Sequence, residues 1–169
     1  INQILDPQDP LWNFESQWIG SDSYVLIQYD PSVPSSTALW SSNTKEDLLN
    51  NSPMNVHYFF ISNRSQYEND IEYIKTSFDE VLSTFSNEMQ AHWKDHLHFV
   101  NARVSEMDNW LDDALSGEYA ISIDCFQRIR EAGYLGNPAT FSGTYLSYLA
   151  HEAHYFNYEL EVFNSSNET

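Results

Sequence analysis

Val56-His57-Tyr58-Phe59-Phe60-Ile61-Ser62 (VHYFFIS) is a short run that is apolar through its whole centre. Apolar positions that follow one another, rather than alternating, mark a strand covered on both faces, and the run is too short for a buried helix. Its surroundings have the same character. Upstream, Tyr24 to Tyr29 (YVLIQY) reads as a second strand of this kind. Between them lie a loop with two prolines, Asp30 to Ser36, a short helix from Lys45 to Asn50 with Thr44 as its cap, and a break from Asn51 to Asn55.

Downstream, Ile71, Ile74, Phe78, Val81, Leu82, Phe85, Met89 and Trp93 recur at spacings of three and four. They predict helix from Asn69 to Leu97, either unbroken or bent into two pieces. Leu97 to Ala102 (LHFVNA) reads as a third strand. Ser105 is the expected cap of a further helix with Met107, Trp110, Leu111 and Leu115 on one face and Gly117 as its stop. Tyr119 to Ile123 (YAISI) is a fourth strand, and Asp124 is expected to cap a short helix through Ala132 that ends at Gly133. Residues 136–143 read as loop, and the last segment as helix to about His154 followed by a strand. Strands alternating with helices imply an α/β fold. The expectation is a mixed or mostly parallel central sheet with helices on both faces, in a thioredoxin-like or small doubly wound layout.

A chain of 169 residues accommodates one hydrophobic core, and its 41 % hydrophobic content, with 11 Tyr, 10 Phe and 5 Trp, suffices to fill it. The expected organisation is an extended lead-in over 1–22 packed on the domain, a single domain over 23–163, and a polar tail or linker over 164–169. The lead-in carries Asp6-Pro7 and Asp9-Pro10, and the polar end suggests a piece of a longer protein.

Charge narrows the partners. The net charge is −18, from 25 acidic and only 7 basic residues. With no basic run, the chain repels a phosphate backbone, which excludes nucleic acid as a primary partner and disfavours an anionic membrane surface. No apolar stretch reaches the roughly 18 residues that span a bilayer. Four glycosylation sequons begin at Asn50, Asn63, Asn164 and Asn167, in segments that read as turns or tail. About 2.5 are expected by chance at this composition, so the excess is modest and points to a secreted, lumenal or cell-surface location.

Several residues are candidates for chemistry. A thioredoxin-type redox centre needs two cysteines after the first strand, but Asp30-Pro31-Ser32-Val33-Pro34-Ser35 holds none, so such a layout is a non-redox version. The single cysteine, Cys125, is a candidate reactive thiol at the start of the helix expected after Asp124, where the helix dipole favours a thiolate. The simpler reading is a small buried apolar residue. His92 and His96 share a helix face, and His151 and His154 lie three apart on the last helical segment. Together they are a candidate zinc site, although His151-Glu152-Ala153-His154 is one residue short of the H-E-x-x-H spacing. Acidic pairs such as Glu46-Asp47, Asp79-Glu80 and Asp112-Asp113 read as solvated helix faces. Arg128 and Arg130 are expected to anchor the short helix through carboxylates. Trp12, Trp18 and Trp40 fall in lead-in or loop segments, either as binding platforms or as plugs at the core edge.

These readings favour a non-catalytic domain of a larger glycoprotein, acting through contacts with a protein partner or with the rest of its own precursor, without a cofactor. The alternatives are a zinc-dependent hydrolase or metal-binding domain, and a glycan-binding domain.

Overall fold

The computed structural model describes residues 14–103 and 118–135. The elements run α1 (Phe14–Gln17), β1 (Ser23–Tyr29), α2 (Ser36–Leu39), α3 (Ser42–Asn51), β2 (Val56–Ser62), α4 (Tyr67–Leu82), α5 (Asn87–His96), β3 (Leu97–Arg103), β4 (Tyr119–Ile123) and β5 (Ile129–Tyr134). The described strands form one sheet in the order β3-β2-β1-β4-β5. β1, β2 and β3 are parallel neighbours, whereas β4 runs antiparallel to β1, and β5 antiparallel to β4. The fold is therefore α/β with a mixed sheet. The antiparallel β4–β5 hairpin beside β1 makes the sheet mixed, with its parallel part at β1, β2 and β3.

β1 and β2 are buried along their entire length because both faces are covered. Val25, Ile27, Tyr29, Tyr58, Phe60 and Phe99 face a core completed by Leu39 and Trp40 of the α2 turn, Leu48 and Leu49 of α3, and Ile71, Ile74 and Phe78 of α4. Tyr24, Leu26, Phe59, Ile61, Val100 and Ile123 form a second cluster on the opposite face, where Trp18 packs as it leaves α1. Two-sided burial explains why neither strand alternates in sequence. No described helix is long and apolar enough to cross a membrane.

The helical stripe from Asn69 to Leu97 is two helices. Ser83 and Thr84 turn their hydroxyls back onto the carbonyls of Glu80 (2.7 Å) and Val81 (2.8 Å), and α4 ends there. Ser86 then starts α5 by accepting a hydrogen bond from the Met89 amide. For α3 the cap is Ser41, not Thr44: the Ser41 hydroxyl accepts from the Thr44 amide at 3.3 Å.

One element differs in kind. The residues after Asp124 form a hairpin turn and strand β5, not a short helix. The fully buried Asp124 carboxylate accepts the amides of Phe126 and Arg128, each at 2.9 Å, and pairs with Arg130 Nε. Gln127 takes the left-handed conformation, φ 64°, that closes the turn. An aspartate that caps a helix caps a tight turn by the same chemistry, so its presence alone does not separate the two. Arg130 has the expected carboxylate partner, but it staples a hairpin. The helix expected after Ser105, the loop at 136–143 and the mixed last segment lie outside the described residues.

Phe78 is fully buried and its ring meets Trp40, Phe60 and Phe99 at centroid distances of 6.3, 5.1 and 6.1 Å. Phe78→Ala removes the ring that joins α4 to β2 and β3. It is expected to lower unfolding stability by about 3–5 kcal/mol, read as a lower denaturant midpoint at unchanged slope.

Candidate functional site: a cleft at the carboxyl ends of β1 and β2

Parallel strands end on the same side, and the loops leaving their carboxyl ends are where open α/β sheets place binding sites. Here the chain leaves β1 through Tyr29, Asp30 and Pro31 and returns through α2, while β2 leads through Ser62 and Arg64 into α4. Between these segments is a half-open cleft of about 400 Å³ lined by Tyr29, Pro31, Ser36, Thr37, Trp40, Arg64, Asp70 and Tyr73. Tyr73, on α4, is 67 % exposed and forms an aromatic rim.

The floor is an internally paired charge network. Arg64 places Nε 3.3 Å from Asp70 Oδ2 and Nη1 3.7 Å from Asp30 Oδ1. Ser62 donates its hydroxyl to Asp70 at 3.1 Å and accepts the Arg64 amide at 3.2 Å. Burial raises the Asp70 pKa, against the Ser62 hydrogen bond and the Arg64 charge, while Asp30 adds to the rise. Asp30 also holds its own loop, accepting the Ser32 amide (2.9 Å) and hydroxyl (2.6 Å).

Behind the cleft stands Glu118, fully buried just before β4. Its Oε1 accepts the Ser36 hydroxyl and the Trp40 indole N–H, both at 2.8 Å, and the Asp30 amide at 3.4 Å. Its Oε2 is buried with no hydrogen-bond partner among the described residues. Burial pushes the carboxyl up to about 7 against these donors, and the Asp30 carboxylate pushes the same way. The phenol of Tyr29 is raised by burial and by Glu118. One carboxyl thus holds the β1–α2 loop at three points, so the cleft wall is preformed. The arrangement presents fixed hydroxyls, one guanidinium paired to two carboxylates, and aromatic surface, which suits recognition of a mixed polar and apolar group.

The residues singled out in the sequence lie elsewhere. Cys125 is 7 % exposed in the β4–β5 turn, with its carbonyl accepting the Trp18 indole N–H at 2.9 Å. It does not sit at a helix start, so the dipole argument for a reactive thiolate falls away. Because Ile123 pairs with Tyr24, this turn lies at the amino end of β1, across the sheet from the cleft. Trp40 is 6 % exposed and is a core residue, not a platform; Trp18 stacks on Tyr24 at 4.3 Å and plugs the other face. Trp12 is outside the described residues.

His92 and His96 do share a face of α5, but their rings stack at 4.0 Å, and His96 Nδ1 donates to the His92 carbonyl at 2.9 Å. Their nitrogens do not converge on a point, and among the described residues no group of three or more His, Cys, Asp or Glu could hold a metal ion. His151 and His154 lie outside the described residues. Instead, the α5 pair joins His57 and His98. His57 Nδ1 lies 2.9 Å from His98 Nε2, and His57 Nε2 lies 3.1 Å from Asp22 Oδ2. The sequence analysis places His57 only within the strand VHYFFIS and among no candidate site. In the observed register His98 lies opposite Phe59, two residues beyond His57, so the contact follows from the β2–β3 register and not from the sequence. Of the sequons, Asn50 is exposed in the last turn of α3, in a helix and not in a turn, and Asn63 is half-buried in the turn before α4. Asn164 and Asn167 are outside the described residues.

The chain matches no family model, no curated protein sequence and no solved structure at a significant level.

Glu118 gives the site a defined pH response. Its folded value, about 7, lies above its ordinary 4.5, so its contribution to stability is complete below pH 4.5 and is lost as pH rises through 7. Glu118→Gln keeps an acceptor without the charge. Above pH 7 it is expected to gain on the order of 3 kcal/mol over wild type relative to the difference below pH 4.5, measured by urea unfolding across that range. Glu118→Ala leaves the Ser36 and Trp40 donors without their acceptor and is expected to cost about 2 kcal/mol or more below pH 4.5, a cost that shrinks as pH rises through 7 and wild type loses its own contribution.

Proposed function

We propose that this chain is a non-catalytic domain of a larger secreted, lumenal or cell-surface glycoprotein, and that it acts through protein contacts made at the cleft between β1, β2 and α4. The partner is another protein or the remainder of the same precursor. One observation carries the reading. The loop after β1, where a thioredoxin-type enzyme keeps its thiols, is thiol-free and is tied to the buried Glu118, with its ionisable neighbours already paired to one another. A preformed wall with paired charges favours recognition over turnover, because a catalytic group has to be left available to its substrate. The exposed Tyr73 supplies the kind of rigid aromatic anchor that dominates protein interfaces. The sequon at the exposed Asn50 supports the compartment.

A second reading, glycan binding, is favoured by the same rim. Tyr73 offers a stacking face beside the Ser36 and Thr37 hydroxyls and a guanidinium–carboxylate pair.

A photo-crosslinking residue at position 73 in the secreted, full-length protein tests the first reading. A discrete protein adduct is expected at 73, and none from a control at the exposed Glu46 of α3. Labelling at neither position, or turnover in a thiol–disulfide exchange assay, rejects it; a glycan-array signal lost in Tyr73→Ala transfers support to the second. The compartment is tested separately. Asn50→Gln is expected to remove one glycan from the intact mass of protein secreted by a eukaryotic cell, and an unchanged mass counts against a glycoprotein modified there.

A further inference from the structure

At the amino ends of the parallel strands, across the sheet from the cleft, four imidazoles from three elements touch in sequence. His92 stacks on His96 at 4.0 Å, His96 on His57 at 4.3 Å, and His57 is bonded through Nδ1 to His98 Nε2 at 2.9 Å. His92 and His96 belong to α5, His57 to β2 and His98 to β3. The tautomers follow from the partners. The Asp22 carboxylate accepts from His57 Nε2–H, which leaves His57 Nδ1 as acceptor and makes His98 Nε2 the donor. One proton shared by the pair still leaves a donor facing an acceptor, but with both rings protonated His57 Nδ1 and His98 Nε2 are both donors and the bond breaks.

Other titratable groups among the described residues also face the stack. Asp22 precedes β1 and bonds His57, Tyr24 on β1 stacks on His57 at 5.2 Å, and Asp95 on α5 acts on His92. Lys94 adds a cation in the last turn of α5. Full protonation is unfavourable here: stacked imidazolium faces 4 Å apart repel, and the His57–His98 bond, which adds to the β2–β3 backbone ladder, is lost once both rings are charged.

We propose that this histidine stack is an acid-operated latch, whose protonation between neutral and mildly acidic pH releases α5 and β3 from the sheet edge while β1, β2, α3 and α4 stay folded. The position of β3 favours release as a unit. Among the described strands it lies at the edge, paired on one side to β2, and that pairing shifts register beyond Phe60. Direction of titration agrees. Burial, then His96, lowers the His57 pKa to about 4 against the Asp22 bond; burial, then His57, holds His98 well below its usual 6.5; and burial, then His96, lowers His92. For groups depressed in this way the stabilisation is complete above about pH 6.5 and is lost as pH falls toward 4. Release uncovers the β2 edge and the Phe59 ring that now stacks on His98 at 4.3 Å, so an acidic compartment would expose a surface that a neutral one hides. This inference is independent of what binds the cleft.

Hydrogen exchange of the whole 169-residue chain at pH 7.4 and 5.0, corrected for intrinsic rates, tests the latch. Amides of residues 87–103 are expected to lose protection by about tenfold or more at pH 5.0, while β1 and α4 amides hold theirs. The H92Q/H96Q variant, with two fewer charges to accumulate, is expected to match wild type at pH 7.4 and to keep its protection at pH 5.0; H96Q alone serves if the double variant does not fold. Protection of residues 87–103 that is unchanged at pH 5.0, a loss spread evenly over the chain, or identical opening in the variant overturns the proposal.

Discussion

Burial of β1 and β2 on both faces is the constraint on which the rest of this structure depends. Their side chains are at or near zero exposure, so every other element is disposed to cover one face or extend one edge. The helices α2 to α5 serve the face of Phe60 and Tyr58, Trp18 serves the face of Tyr24 and Phe59, and the β4–β5 hairpin extends the side of β1 away from β2. Two-sided burial also places the polar groups. A strand interior that is apolar throughout can carry chemistry only at its ends, and the two polar constellations lie at opposite ends of the same strands. Asp30, Arg64, Asp70 and Glu118 gather at the carboxyl ends; Asp22, His57, His98 and the α5 histidines gather at the amino ends.

The two constellations respond to protons in opposite directions. Glu118 is a buried carboxyl that folding favours in its neutral, protonated form, whereas the histidines are buried bases that folding favours in their neutral, unprotonated form. The same physical cause, desolvation, acts on both. Acidification therefore relaxes the cleft end of the sheet and loads the other end.

Legibility in the sequence followed the same division. The strands over 56–62 and 119–123 were readable to the residue, and that over 24–29 to within one, because dense runs of β-branched and aromatic residues leave few other conformations. The boundary between α4 and α5 was not readable, since the stripe of Phe78, Phe85 and Trp93 continues across it and the break comes from the Ser83 and Thr84 hydroxyls. β5 was misread because Asp124 and Gly133 are signals that helices and hairpins share. The site was the least legible part. Glu118 has partners 78, 82 and 88 residues away, and nothing in its immediate neighbours announces them. Trp40 sits in a segment with no periodicity, yet its indole N–H is bonded to that carboxyl and its ring is core. The histidines were legible as a pair on α5 and illegible as a stack, because stacking requires the β2–β3 alignment that only the folded sheet supplies.

The asymmetric neighbours of β1 set the order in which the domain can be assembled. Its parallel partner β2 arrives after a crossover of two short helices, so the pairing of Ser23–Tyr29 with Val56–Ser62 needs only a modest loop closure. Its antiparallel partner β4 lies far along the chain and must wait for it. During synthesis, and in any chain cut short before residue 118, one edge of the apolar strand YVLIQY stands open, with its backbone N–H and C=O groups seeking another strand. Closure of that edge comes with the same step in which Glu118 engages the β1–α2 loop. Formation of the cleft wall and loss of the aggregation-prone edge are thus one event in folding.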